Sequence, residues 1–272
     1  MRTRTVSGGD GVEIYVEERG PADGRPLLLI HGFSQCRLAW TPQFESELAD
    51  DFRLVAMDLR GHGASGTPRD AYADSRLWAD DVRAVIDGLA LDDPVLVGWS
   101  YGGLVVSDYL ATHGDGALGG VVLVGAITEK GTSDADRFAG EEFVALGPGL
   151  ESTDAERSVA ALDSFVRLCV EHDLDDAARY RALGYNAAVP PHVRAALQGR
   201  TVDHEATLPD VETPVLLIHG EEDAVVGPAA ARKHVELFRN ATLETYPEVG
   251  HSPFFEAPER FEADLRTFVA GL

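Results

Sequence analysis

The chain has 272 residues, of which 44% are hydrophobic and 25% are charged, a composition typical of a globular protein. Asp and Glu total 46 against 23 Lys and Arg, and the resulting formal charge of −23 repels phosphate backbones, which argues against nucleic-acid binding. The two cysteines, Cys36 and Cys169, are too few for a disulfide framework and show no zinc-ligand spacing. Because no segment resembles a signal peptide or a membrane span, we expect a soluble, cytoplasmic protein with no membrane partner.

The predicted elements alternate between strands and helices. Val12, Ile14 and Val16 alternate with polar residues, which is the period of an antiparallel edge strand with one solvent-exposed face. Five short apolar runs then predict strands that are buried on both faces, at residues 27–30, 54–56, 95–97, 121–124 and 215–218. Residues 75–90 and 258–270 keep the 3.6-residue apolar spacing of helices. This alternation predicts an α/β fold with a mixed, mostly parallel sheet covered by helices.

Residues 128–207 interrupt the strand pattern with a helical and acidic segment. Helices are predicted within it at 175–186 and 192–198, and the strand pattern resumes after it. An interruption that returns to the same alternation is seldom a separate domain. We therefore assign residues 1–127 and 208–272 to one core and interpret the interrupting segment as a helical insertion lying on the sheet.

A glycine-flanked serine follows the strand predicted at 95–97. The stretch Gly98-Trp99-Ser100-Tyr101-Gly102 matches the pattern G-x-S-x-G, and apolar residues typical of a helix come next. The glycines permit a sharp strand-to-helix turn that lifts a hydroxyl above the sheet, where larger residues would clash. The bare pattern is common by chance. Its position after a buried strand favours Ser100 as a nucleophile over an ordinary turn serine.

A serine hydroxyl is a weak nucleophile unless a base takes its proton and an acid orients that base. Asp223 and His251 each follow a predicted strand, at the sheet edge where open α/β sheets place ligands. The chain order Ser, Asp, His is also that of one known class of triad. Glu221 and Glu222 leave open a merely solvated acidic loop at Asp223. We predict Ser100, Asp223 and His251 as the catalytic residues.

Cleavage through a tetrahedral intermediate also needs backbone N–H donors for the developing oxyanion. Tyr101 directly follows Ser100 and supplies one donor, and Phe33, in the loop after a buried strand, supplies the other. His31 in the same loop is interpreted as a bracing residue. His219, in a second His-Gly pair, is assigned only a turn role.

One motif points to a different function. Residues 61–66 match the dinucleotide-binding pattern G-x-G-x-x-G after a predicted strand. Thr67-Pro68 and a polar stretch come next, so no helix N-terminus is available to bind a pyrophosphate. We therefore predict no nucleotide cofactor, and we predict no metal.

Together these motifs resemble the α/β-hydrolase fold superfamily. The matching segments are His31-Gly32-Phe33, D-x-R-G-H-G at 58–63, G-W-S-Y-G at 98–102, HGxxD at 219–223 and Gly250-His251. The resemblance spans nearly the whole chain and is weakest in residues 128–207. It implies a mostly parallel, eight-stranded sheet flanked by helices, with residues 128–207 forming a cap over the pocket. The serine-nucleophile branch that the motifs match includes esterases, lactonases and perhydrolases.

The implied cap carries aromatic residues that either line the pocket or belong to the core of the cap: Phe138, Phe143, Phe165, Tyr180 and Tyr185. Ser34-Gln35-Cys36 stands where many relatives carry a small glycine, which brings side chains toward the pocket. The predicted substrate-binding residues are Gln35, Trp99, Phe138, Phe143, Phe165 and Tyr185.

The leading hypothesis is a cofactor-free serine hydrolase that cleaves a small carboxylic ester or lactone with an apolar acyl group. Haloalkane dehalogenases and epoxide hydrolases carry Asp at the position of Ser100, which argues against both reactions. Cofactor-free haloperoxidases, or perhydrolases, and carbon-carbon bond hydrolases use the same triad and stay open as alternatives. A receptor-like binding protein with slow turnover is an alternative of another class. Assembly as a homo-oligomer also stays open.

Overall fold

The computed structural model describes residues 1–272, and ten strands form one large sheet and one small ribbon. The strands are β1 Arg2–Ser7, β2 Glu13–Arg19, β3 Pro26–Ile30, β4 Arg53–Met57, β5 Val95–Trp99, β6 Gly120–Val124, β7 Glu129–Lys130, β8 Val202–Asp203, β9 Val215–Gly220 and β10 Ala241–Tyr246. The large sheet has eight strands in the order β1-β2-β4-β3-β5-β6-β9-β10. All strand pairs from β4 to β10 in this order are parallel, which confirms the predicted mostly parallel sheet.

The edge of the sheet differs from the prediction. The antiparallel strand predicted around Val12 to Val16 is β2, but β1 pairs outside it and forms the edge. Almost every residue of β1 is exposed, so the strand shows no apolar period from which to predict it. Ion pairs from Arg2 and Arg4 to the buried carboxylate of Glu18 on β2 help to hold it in place.

Eleven helices flank the sheet or lie above its edge. They are α1 Thr41–Glu45, α2 Leu48–Asp51, α3 Ser75–Gly88, α4 Tyr101–His113, α5 Glu141–Leu150, α6 Ala155–Leu168, α7 Asp176–Ala188, α8 Pro191–Gln198, α9 Ala229–Leu237, α10 Pro253–Glu256 and α11 Pro258–Ala270. No helix combines the length and the apolar character needed to cross a membrane.

The core lies on both faces of the sheet, as strand β3 illustrates. Leu28 and Ile30 belong to the larger apolar cluster, which includes Trp78 of α3. Leu27 and Leu29 point to the opposite face and join a second cluster. Alternate residues of a strand point to opposite faces, so a strand covered on both sides is continuously apolar.

Helices α5 to α8 lie between β6 and β9 in the chain, and β7 and β8, which precede and follow these helices, pair as an antiparallel ribbon. The guanidinium of Arg194 on α8 is buried and has no carboxylate partner. It donates instead to the carbonyl oxygens of Leu150 and Val189 at the ends of α5 and α7, and to Ser158 Oγ on α6 at 2.8 Å. Carbonyl groups at helix C-termini carry partial negative charge, so this buried cation holds the insertion helices together.

Candidate active site

Ser100 occupies a strained turn between β5 and α4. Its φ of 56° and ψ of −118° lie where few residues other than glycine are found. A Cβ atom added at Gly102 would lie only 2.3 Å from the carbonyl oxygen of Ile30, so the second glycine of the motif is required by close approach to β3. The turn places the Ser100 side chain at the carboxyl edge of the sheet, where the residue retains 6% exposure.

The carboxylate of Asp223 and the imidazole of His251 form a buried pair. The Nδ1–H group of His251 donates to Oδ2 of Asp223 at 2.7 Å. The other oxygen, Oδ1, accepts the backbone N–H groups of Val225 and Val226 at 2.8 and 2.9 Å. Because both oxygens are engaged, the carboxylate is fixed in orientation, and it in turn fixes the imidazole.

A second histidine contacts the same carboxylate. Nε2 of His219 lies 3.1 Å from Oδ2 of Asp223 and 2.8 Å from the carbonyl oxygen of Val226. Burial acts to raise the pKa of Asp223, but the charge of His251 and hydrogen bonds from both histidines outweigh it, so the pKa lies well below its usual range. The sequence interpretation gave His219 only a turn role. The four-residue spacing in HGxxD was the available signal for this contact.

Val124 and Gly125 lie between the turn at Ser100 and the hydrogen-bonded pair of Asp223 and His251. The Ser100 N–H group donates to the carbonyl oxygen of Val124, the last residue of β6, at 2.9 Å. A Cβ at the next residue, Gly125, would lie 3.1 Å from His251 Nδ1 and 3.2 Å from Asp223 Oδ2. Its φ of +48° is a further reason for glycine here. The Asp223 and His251 side chains therefore lie against Gly125, and the backbone of Ser100 is hydrogen-bonded to the residue before this glycine.

The loop after β3 lies against Ser100. A Cβ at Gly32 would be 3.5 Å from Ser100 Oγ. Phe33 follows, and its N–H group donates to no backbone carbonyl. Tyr101 is the first residue of α4, and the first N–H groups of a helix have no intrahelical partner. Two unpaired donors thus flank the serine.

His31 braces this loop, in line with the sequence interpretation. Its Nδ1 lies 2.9 Å from the carbonyl oxygen of Gly32, and Nε2 accepts the N–H of Leu59 at 3.0 Å. Burial lowers the pKa of His31 to about 4. The imidazole is therefore neutral near pH 7 and joins the loop to the end of β4.

Comparison with known proteins decides the family. The model of the α/β hydrolase fold family matches residues 25–258. The chain belongs to this family. It is 31% identical to a non-heme chloroperoxidase of Streptomyces lividans over 97% of this chain and 99% of that protein. It is 30% identical to a bifunctional esterase/perhydrolase of Acinetobacter calcoaceticus, over 97% and 98%. The crystal structure of an esterase from Rhodococcus sp. ECU1013 matches with a TM-score of 0.96 and 39% identity, covering 100% of both chains.

Two cavities in this α/β hydrolase contain the predicted substrate-binding residues. The first has a volume of about 80 Å³ and is bordered by Ser100, Phe33 and Tyr101. Phe138, Phe143 and Phe165 complete its aromatic wall, and the rings of Phe33 and Phe165 meet edge to face with centroids 5.9 Å apart. Three of the six predicted residues are thus brought together beside the serine.

The second cavity is larger, about 300 Å³, and contains the other three predicted residues: Gln35, Trp99 and Tyr185. It borders Ser252, the residue after His251, but not Ser100 itself. The Trp99 indole N–H donates to the His251 carbonyl oxygen at 2.8 Å, so this side chain also supports the histidine. Tyr180 is 63% exposed and lines neither of these cavities.

The glycine-rich stretch at 61–66 forms a turn after β4 in this α/β hydrolase, and the next helix, α3, begins only at Ser75. It therefore does not open a helix as a dinucleotide site requires. No group of three or more His, Cys, Asp or Glu side chains is arranged to hold a metal ion.

Proposed function

We propose that the protein is a serine hydrolase that cleaves a small carboxylic ester or lactone with an apolar acyl group. The observation that carries this proposal is the buried 2.7 Å hydrogen bond between His251 and Asp223, which lie against Gly125. The strained Ser100 is hydrogen-bonded through its N–H group to Val124, the residue before Gly125. The full-length similarity to an esterase and to an esterase/perhydrolase supports it.

In the proposed mechanism Ser100 Oγ attacks the carbonyl carbon while His251 takes the hydroxyl proton. Asp223 stabilises the imidazolium that forms, and its low pKa keeps it ionised for this role. The carbon-oxygen bond to the alcohol then breaks, and His251 protonates the leaving alkoxide. Water, deprotonated by His251, attacks the acyl-enzyme, which releases the acid and restores Ser100.

The N–H groups of Phe33 and Tyr101 are assigned to the oxyanion of each tetrahedral intermediate. Such donors act strongly because they are already oriented before charge develops. The bracing of the loop by His31 and the helical position of Tyr101 support this assignment.

The two cavities are assigned to the two arms of the ester. The acyl group faces the cavity of about 80 Å³ beside Ser100 and the oxyanion donors, and its small size favours a short chain. The alcohol faces the cavity of about 300 Å³ that borders Ser252, because His251 must protonate the leaving oxygen. Residues 1–127 and 208–272 are assigned as the core, and residues 128–207 as the cap. Phe165 and Tyr185 of the cap line one cavity each.

The test is turnover of p-nitrophenyl esters of graded acyl length and of a lactone panel, with a fluorophosphonate probe of the serine. We expect turnover of short esters and covalent labelling, both lost in Ser100→Ala, with kcat reduced at least about a thousandfold. Glu222→Gln, which replaces an exposed residue of the acidic loop, serves as the control. Labelling that persists in folded Ser100→Ala would contradict the assignment of the nucleophile.

Perhydrolysis is a second candidate, favoured by the similarity to the esterase/perhydrolase of Acinetobacter calcoaceticus. Hydrogen peroxide replaces water in the attack on the acyl-enzyme, and the product is a peracid instead of an acid. Peracid formation from an ester and peroxide, compared with hydrolysis of the same ester, measures the partition. Formation that survives Ser100→Ala would exclude this route.

A further inference from the structure

Glu256 ends the short helix α10 and contacts the backbone on both sides of His251. Its half-buried carboxylate accepts the N–H of Gly250 at 3.0 Å and the N–H of Ser252 at 3.3 Å, both on Oε1. No Lys, Arg or His lies within ion-pair distance of Glu256. The hydrogen bonds of Glu256 are therefore made to the main chain on either side of His251.

The other oxygen of Glu256 reaches the insertion. Oε2 accepts the N–H of Glu171, just past α6, at 2.7 Å. The two segments also pack directly, because a Cβ at Gly250 would lie 2.7 Å from the backbone nitrogen of Glu171. One carboxylate thus joins residues 250–252 to the insertion across 85 positions of sequence.

These bonds complete the support of His251. The indole of Trp99 holds its carbonyl oxygen, and Asp223 holds Nδ1, whereas Glu256 holds the peptide groups at either side. Burial raises the pKa of Glu256, and the backbone N–H bonds act in the opposite direction because they stabilise the ionised carboxylate. A displacement of about 1 Å in a catalytic group is enough to slow a reaction about a hundredfold.

We propose that Glu256 is a positioning residue for the reaction: its carboxylate fixes the His251 loop and couples it to the insertion at Glu171. This inference rests on the proposed function, in which His251 is the base. Glu256 contacts no reacting atom in that mechanism. It acts through the main chain of the residues that flank the base.

The experiment compares Glu256→Ala, Glu256→Gln and the control Glu259→Ala, an exposed glutamate three residues later. We expect Glu256→Ala to lower kcat and the rate of fluorophosphonate labelling between about tenfold and a hundredfold, with KM little changed. In Glu256→Gln the amide oxygen can still accept from the loop that carries His251, but the amide N–H groups face the N–H of Glu171. We therefore expect kcat of Glu256→Gln to lie between those of Glu256→Ala and the wild type. The control should behave as the wild type.

The thermal midpoint of each variant is measured beside its kinetics. Loss of stability with unchanged kcat would show a purely structural role and overturn the proposal, as would a wild-type kcat in both Glu256 variants. If Glu256→Ala does not fold, Glu256→Gln decides alone by the same criterion. Failure of the proposed function is a different result, since the wild type itself would then show no turnover or labelling that depends on Ser100.

Discussion

Asp223 and His251 are 28 residues apart in the sequence, and their side chains are joined by a hydrogen bond of 2.7 Å in the interior. The neighbouring acids do not compete for this place. Glu221 and Glu222 are exposed, and Glu221 accepts the hydroxyl of Thr245 on β10 instead. Burial therefore separates one carboxylate of an acidic loop from the other two.

Replacement of the buried acid tests this difference. Asp223→Asn should preserve the fold and lower kcat at least about a thousandfold, because an amide cannot stabilise the imidazolium of His251. Glu221→Gln and Glu222→Gln are the matched controls and should change kcat little. Steady-state kinetics on one p-nitrophenyl ester measures all three. A crippling effect of either control, with a mild effect at Asp223, would mean that the acid is misassigned.

The pH dependence of kcat/KM should show one titration on the acid side. The pKa of Asp223 is lowered, so this carboxylate stays ionised between pH 5 and pH 8. Activity should rise with pH because only a neutral imidazole accepts the serine proton. The measurement uses a slow substrate between pH 5 and pH 8. A profile that stays flat across this range is incompatible with a histidine base.

Acid should destabilise the fold through histidines that are buried in the neutral form. Burial lowers the pKa of His31 to about 4 and those of His62 and His234 to about 3, against about 6.5 in an unfolded chain. Below about pH 6.5 the unfolded state binds more protons, so the free energy of unfolding falls as the pH drops toward 4. Each histidine contributes up to about 1.4 kcal/mol per pH unit.

Urea unfolding at pH 7 and pH 5 measures this loss of stability. His234→Gln should reduce the difference between the two pH values, because one buried site is removed. His172→Gln, at an exposed position, is the control and should leave the difference unchanged. Equal free energies of unfolding at both pH values in the wild type would contradict the prediction.

The cavity beside Ser100 should set the acyl length. Phe143→Ala removes part of its aromatic wall and should shift the preferred ester to a longer acyl chain. Each added methylene that becomes buried contributes about 0.8 kcal/mol, or about fourfold in kcat/KM. Phe138→Ala should act in the same direction, and the exposed Tyr180→Ala is the control.

The same variants separate selectivity from support of the triad. Labelling of Ser100 by a small fluorophosphonate should be nearly unchanged in Phe143→Ala, because the reagent does not fill the cavity. Tyr185 lines the other cavity, so Tyr185→Ala should change the preference for the alcohol group of the ester instead of the acyl group. Labelling that slows as much as ester turnover would show that Phe143 supports the triad, and the assignment of the acyl arm would fail.

The local patterns of the sequence are sufficient for most of the architecture. A strand buried on both faces must be continuously apolar, so β3 and β5 are visible as short runs of Leu and Val. The turn at Ser100 is equally visible, because close approach to β3 admits only glycine at Gly102. Such features depend on residues adjacent in the chain, and sequence spacing records them directly.

Only the tertiary structure decides contacts between distant segments. β1 carries no apolar period, and its place at the edge depends on pairing with β2 and on Glu18. The division of the predicted binding residues between two cavities is set by how the insertion packs on the sheet. The bond from Glu256 to Glu171 likewise spans 85 positions, and no local spacing encodes it. Periodicity reports which faces of a segment are buried, whereas the partner of each face depends on how all segments pack together.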